Sequence, residues 1–350
     1  VIQLCGYISS KFYDDGSVMI FKTFKKLSTL ALGITLLAGL AGCESSAVHL
    51  KETQLSRIAL PVFMMKRQIP IDDVSLLSYE RVYDPLKVVQ VYIENNTMFT
   101  DGFSYTKTTP QILFSKAPAN PLALRLAARD KASNVIYMSA PCQFATRSIL
   151  YESTAEKCVR TYYDEGPVSA AVINAYMQAL DNIRRYHGVD AFVLNGYGSG
   201  ASVAAILASQ RMDVEAVRTV ASYLDAAKYE DGALDHYYEG GLNPIDFAKT
   251  MAHLPQYHFL GEEDRAESLK SYHNYAQAVG PTWCMRHSII PNADDDDGWV
   301  EQWPALLQLP LDCRADQQNS GMEPVVDLTP VPFNPDTLDI MDDMHGRGKK

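Results

Sequence analysis

The chain has 350 residues, 47% of them hydrophobic, and a formal net charge of -11. That is enough apolar material for one large domain or two small ones. The acidic balance, with no Lys/Arg stripe, excludes a protein built to grip a nucleic-acid backbone. Residues 1–18 carry no pattern and read as an upstream extension from a mis-assigned start. From Met19 the chain reads as a secretory leader. Lys22, Lys25 and Lys26 form a positive start, and Leu27 to Leu40 form an apolar run. That run is shorter than the roughly 20 residues a bilayer-spanning helix needs.

The apolar run ends in Leu40-Ala41-Gly42-Cys43, which resembles the lipobox of bacterial lipoproteins. The resemblance implies removal of residues 1–42 and acylation of Cys43, with the acyl chains holding the protein to a membrane. Glu44, in place of aspartate, implies sorting to the periplasmic face of the outer membrane.

Residues 43–80 are mixed in character and read as a lipid-anchored N-terminal tether with an apolar patch at Ile58 to Met65. Residues 81–314 then alternate strands and helices. Strands are expected over Val88 to Glu94, Asn134 to Ser139, Ala191 to Leu194, Val217 to Ala221, Gln256 to Leu260 and Cys284 to Ile290. Helices are expected over Asn120 to Asp130 (with Asn120 as cap and Pro121 at the first helical position), Val168 to Tyr186, Ser199 to Ser209, Ser268 to Val279 and Trp299 to Leu307. This alternation is the pattern of an α/β domain whose mostly parallel sheet is covered by helices on both faces. Residues 315–350 hold prolines and acids with little periodicity. They read as an acidic tail, disordered or laid along a surface.

With Cys43 acylated and Cys5 removed, Cys142, Cys158, Cys284 and Cys313 remain. Four cysteines in an exported chain imply disulfides. Their order suggests Cys142–Cys158 and Cys284–Cys313, although three pairings are open. No CxxC or HExxH spacing occurs, so no metal site and no cofactor are expected.

The sharpest motif is Asn195-Gly196-Tyr197-Gly198-Ser199-Gly200, between a strand and an Ala-rich helix. Its context is that of the nucleophile elbow, G-x-S-x-G. The stretches Val91-Tyr92-Ile93-Glu94, Asn120 to Asp130, Asn134 to Gln143, Gly241-Leu242-Asn243-Pro244, Gly261 to Asp264 and Trp299-x-x-x-Trp303-Pro304 join it. Together they resemble a family of exported bacterial α/β-hydrolase-fold lipoproteins over roughly residues 88–312. The resemblance places the nucleophile at Gly198, the acid at Asp264 and the histidine within Asp294 to Asp297, represented here by Asp296. The loop that normally carries glycines and an oxyanion donor reads Glu94-Asn95-Asn96-Thr97. A triad needs a nucleophile and a base that accepts its proton near neutral pH. Glycine supplies no nucleophile, and aspartate, with a reference pKa of ~3.9, is a poor base.

Ser199 is the alternative nucleophile. The residue two before it, Tyr197, is bulky where the elbow wants a small one, and Ser199 reads instead as a helix cap. His236, His253, His258, His273 and His287 read as surface or packing residues, with His258 and His287 inside strands. The four adjacent aspartates lack EF-hand spacing and read as a solvated loop. The expected function is therefore non-catalytic: a lipid-anchored binding or structural subunit of a cell-envelope assembly such as a secretion or motility complex. The alternatives are a serine hydrolase with a rearranged site and a small-ligand or glycan binder.

Overall fold

Alternating branched and aromatic residues build the central strands. In Val89–Ile93, Val89, Val91 and Ile93 enter the core on one side of the sheet and Tyr92 the core on the other. Ile136 and Met138 divide from Val135 and Tyr137 in the same way. Such a strand is buried on both faces, which is what a parallel sheet between helices requires. The computed structural model describes residues 53–72, 74–96, 120–141, 143, 162, 166–225, 241–263, 266–314, 323–329 and 332–335. Cys43, Cys142, Cys158, His236 and Asp264 lie outside the described residues.

Eight strands form one sheet: β1 (Met65–Ile71), β2 (Val74–Val82), β3 (Val89–Ile93), β4 (Asn134–Met138), β5 (Phe192–Tyr197), β6 (Val214–Val220), β7 (Gln256–Gly261) and β8 (Met285–Ile290). Their order is β1-β2-β4-β3-β5-β6-β7-β8. β2 runs antiparallel to both neighbours, and β3 to β8 are parallel. This is the strand order of the α/β-hydrolase fold.

Helices α2 (Ala170–His187) and α3 (Ser199–Gln210) cover one face with Val172, Ile183, Val203 and Ile206. Helices α1 (Leu122–Arg129) and α5 (Trp303–Leu306) cover the other with Leu122, Leu126 and Trp303. Helix α4 (Ala266–Val279) packs Tyr272 and Tyr275 beside Leu260 and Met285. Ser169 caps α2, accepting from the Val172 amide at 3.2 Å, and Gly188 ends it at φ 68°.

Two sequence expectations are corrected. The boundary drawn at residue 80 falls inside β2, so residues read as tether belong to the sheet. β1 hides because only Ile69 and Ile71 of its seven residues are buried, too few to show alternation. At α1 the cap position is Pro121, not Asn120, and it makes no side-chain capping bond. Asn120 is instead held by Arg125 and by the Asp296 carbonyl. In the last third, described parts of the tail lie along the body. Pro332 bridges Ile289, and Phe333 is buried. Cys284 and Cys313 are joined in a disulfide across 29 residues.

Candidate active-site region

The site lies where β5 turns into α3. Gly198 has φ 56° and ψ -123°, the sharp left-handed turn that lifts an elbow's central side chain out of the sheet. Its amide donates to the Val220 carbonyl at 3.1 Å. Gly200 lets the helix start against β3: a Cβ there would meet the Ile93 carbonyl oxygen at 2.4 Å. The backbone of an elbow is therefore intact.

Its side chains are not those of an elbow. Gly198 offers none, and the space a side chain would take is filled from the loop after β3. A Cβ on Gly198 would stand 2.8 Å from both Cγ and Oδ1 of Asn95. The Asn95 Oδ1 accepts from the Ser199 amide at 3.1 Å and from the Ser199 hydroxyl at 2.9 Å. The Ser199 Oγ in turn accepts from the Asn96 amide at 2.9 Å. An oxyanion hole of this fold uses the amide after the nucleophile and one from the loop after β3. Here those amides already hold side chains of the same chain.

Ser199 is thus not the helix cap expected from the sequence. Gly198 occupies the cap position without a capping side chain, and Ser199 is the first helical residue, 2% exposed. Its hydroxyl fastens two loops together. Gln143 adds a further tie, bonding the Asn95 carbonyl and the Ala140 amide. The space between Glu94, Asn96, Ala140, Tyr176, Ser199 and Val203 has no room for a water molecule. A small ligand or glycan finds no pocket at this point among the described residues.

Glu94 does not face a developing oxyanion as a free carboxylate. It is buried, and its Oε1 accepts from the Asn95 amide at 3.0 Å. Burial pushes its pKa up to about 8, against the opposing pull of the Asn95 and Ala123 amides and the Tyr137 hydroxyl. It is therefore largely protonated at neutral pH. The tyrosines Tyr137 and Tyr176 are raised by burial and by Glu94.

The aspartate run in which the resemblance places the histidine forms a hydrogen-bonded loop. Asp294 accepts from the Asp296 amide at 2.8 Å and the Asp297 amide at 2.7 Å. The Tyr197 hydroxyl donates to the Asp296 carboxylate at 2.6 Å and to the Asp295 carbonyl at 2.8 Å. Tyr197, bulky where an elbow is usually small, thus ties the elbow to the aspartate loop. Burial and Asp296 raise its pKa. Among the described residues no group of three metal-ligating side chains could hold an ion. His258 and His287 are buried in β7 and β8, away from Gly198 in the sheet order. His258 bonds Thr219 at 2.8 Å, and burial lowers its pKa to about 3. His287 bonds Asp327 of the tail at 3.1 Å.

Asn95 and Tyr197 were not singled out as functional residues from the sequence. The available signal was the loss of glycine after β3, but the partner of Asn95 is more than a hundred residues away.

No protein-family model matches the chain, and no curated protein sequence matches it. Solved structures do. One is an alpha-beta serine hydrolase homologue from Coxiella burnetii, at 14% identity, TM-score 0.44, covering 69% of this chain and 94% of that one. Another is an a/b serine hydrolase without lid from Xanthomonas campestris, at 11% identity, TM-score 0.43, covering 69% and 91%. A third is Est1E from Butyrivibrio proteoclasticus, at 10% identity, TM-score 0.46, covering 69% and 96%. The fold rests on the chain's own strand order and elbow. Among the described residues, no helix is long and apolar enough to cross a membrane.

Proposed function

We infer that the chain is a non-catalytic α/β-hydrolase-fold lipoprotein, anchored through Cys43 at the periplasmic face of the outer membrane. In this reading it serves as a structural or binding subunit of an envelope assembly. What supports the loss of catalysis is the Asn95 carboxamide, which stands where the nucleophile's side chain would be and occupies the Ser199 amide. A substrate carbonyl would have to expel it before any attack. Electrostatic stabilisation by preorganised donors is a large part of acyl-transfer catalysis, and here the donors are already bonded. The anchor rests on the leader and on Leu40 to Cys43.

The test is hydrolysis of p-nitrophenyl acetate by the purified mature chain, with expected release no faster than from the heat-unfolded protein. Turnover with active-site stoichiometry would overturn the non-catalytic reading. The anchor is checked separately, by incorporation of labelled palmitate that Cys43→Ser abolishes. Mild detergent extraction and mass spectrometry then read the partners.

A further inference from the structure

The parallel strands begin at one end of the sheet and reach the elbow at the other. Of the large apolar side chains most exposed among the described residues, Leu60, Phe63, Met65, Tyr83 and Leu86 gather at the starting end, near β1, β2 and β4. Arg81 draws these segments together. Its guanidinium donates to the Val62 carbonyl at 2.8 Å and to the Asp130 and Ala132 carbonyls at 2.6 and 3.1 Å. The Tyr83 amide donates to Asn134 Oδ1 at 3.0 Å, closing the same corner.

Phe63 is 70% exposed on a left-handed backbone with φ 61°, a conformation unfavourable for a bulky residue. Leu86 is 93% exposed at the tip of the β2–β3 turn. The same segments carry the exposed cations Arg57, Lys66, Lys87, Arg129 and Lys131. Of the acids there, Asp84 pairs with Lys87 at 3.3 Å, Glu80 pairs with Arg67 at 2.7 Å, and Asp130 is buried against Tyr92 at 2.7 Å. A basic corner stands out in a chain of net charge -11.

We propose that this corner lies on an anionic phospholipid surface, with Leu60, Phe63 and Leu86 inserted among the acyl chains and the lysines and arginines at the phosphates. The inference rests on the lipid-anchor reading only for its setting: Phe63 follows Cys43 by 20 residues, so an acylated Cys43 would keep the corner close to the bilayer. Exposed apolar side chains on segments that also carry exposed cations suit a lipid interface, where apolar insertion and attraction to anionic headgroups add. This orientation turns the elbow end away from the membrane.

The test uses the mature chain exported behind an ordinary cleavable leader and carrying Cys43→Ser, so that no acyl chain contributes. It is sedimented with vesicles of phosphatidylethanolamine and phosphatidylglycerol at 3:1 (~25% anionic lipid) and, in parallel, with phosphatidylcholine vesicles. Expected is binding to the anionic vesicles that weakens in high salt, and a blue shift of emission when Phe63→Trp meets them. Phe63→Ser with Leu86→Ser should lose at least about tenfold in partitioning, from the two buried side chains. Val325→Ser, on the tail, should leave it unchanged. Equal binding by the double variant, or unmoved Phe63→Trp emission, overturns the proposal. So does Phe63→Trp emission that shifts only with protein concentration, the mark of a protein contact. Palmitate labelling of the unaltered chain reports on the anchor independently. A missing label there, with vesicle binding intact, would sink the anchor and leave the surface standing.

Discussion

The elbow and the loop after β3 meet at Gly198, and they have been held by different forces. At the elbow the constraint is backbone packing. Gly196 and Gly200 admit no Cβ, which would meet Ala201 Cα at 2.4 Å or the Ile93 carbonyl at 2.4 Å. Those contacts join β5, α3 and β3 and serve the fold whether or not a nucleophile is present. In the loop after β3 the constraint is side-chain bonding, where Asn95 and Asn96 close on Ser199. The backbone geometry of an elbow is thus kept here by packing that the fold itself needs, independently of the side chains gathered around it.

The sharpest way to separate the two is to disturb each alone. Gly200→Ala should cost about 4 kcal/mol or prevent folding, since the added methyl strikes backbone that cannot retreat. Gly280→Ala, at φ 84° with nothing within 4 Å, should cost only about 1 kcal/mol of backbone strain. Urea melts of the two variants read the contrast. Equal losses would mean that the methyl at Gly200 is accommodated and that close packing does not hold the elbow.

On the loop side, Glu94 carries the next effect. Its folded pKa of about 8 lies above the unfolded carboxyl value, so the folded state binds the extra proton. Stability from this group is full below about pH 4.3 and falls as pH rises through about 8. Glu94→Gln keeps an acceptor for the Asn95 amide and removes the titration. It should be more stable than the unaltered chain at pH 8 by several kcal/mol, on the order of 4, with a flatter pH profile between 5 and 8. Parallel profiles for the two proteins would place the ionised carboxylate at no disadvantage.

Smaller still is the coupling across the contact. Gly198→Ser must push Asn95 aside and hold serine at φ 56°, and should cost about 1–2 kcal/mol. In Asn95→Gly the obstruction is gone, so the same serine should cost about 1 kcal/mol less. Additive losses would mean that Asn95 does not fill the elbow. Neither variant should gain ester hydrolysis, because the run in which the resemblance places the histidine, Asp294 to Asp297, holds only aspartates, with Asp296 bonded to Tyr197.

The parallel half of the sheet was legible because β3 to β8 are buried runs with branched or aromatic residues and α2 has a clear apolar face. β1 and β2 were not, because β1 is an edge strand with only Ile69 and Ile71 buried, and β2 buries the polar Ser78 and Glu80 beside Leu76, Leu77 and Tyr79, so neither shows a clear period. The glycine at the nucleophile position could be read from the motif. The cap role expected for Ser199 fails because the motif's local context could not reveal Asn95 and Asn96, which bond it from the neighbouring strand's loop, 104 and 103 residues away in the chain. The same distance hid the bond between Tyr197 and Asp296.

A fluorophosphonate probe tests the closed site most directly, since it reports any serine hydroxyl that is both activated and reachable. Applied to the mature chain, to Ser199→Ala and to heat-unfolded protein, it should label none of them above background. Labelling near one equivalent in the folded chain, lost in Ser199→Ala, would contradict the account and make Ser199 a working nucleophile.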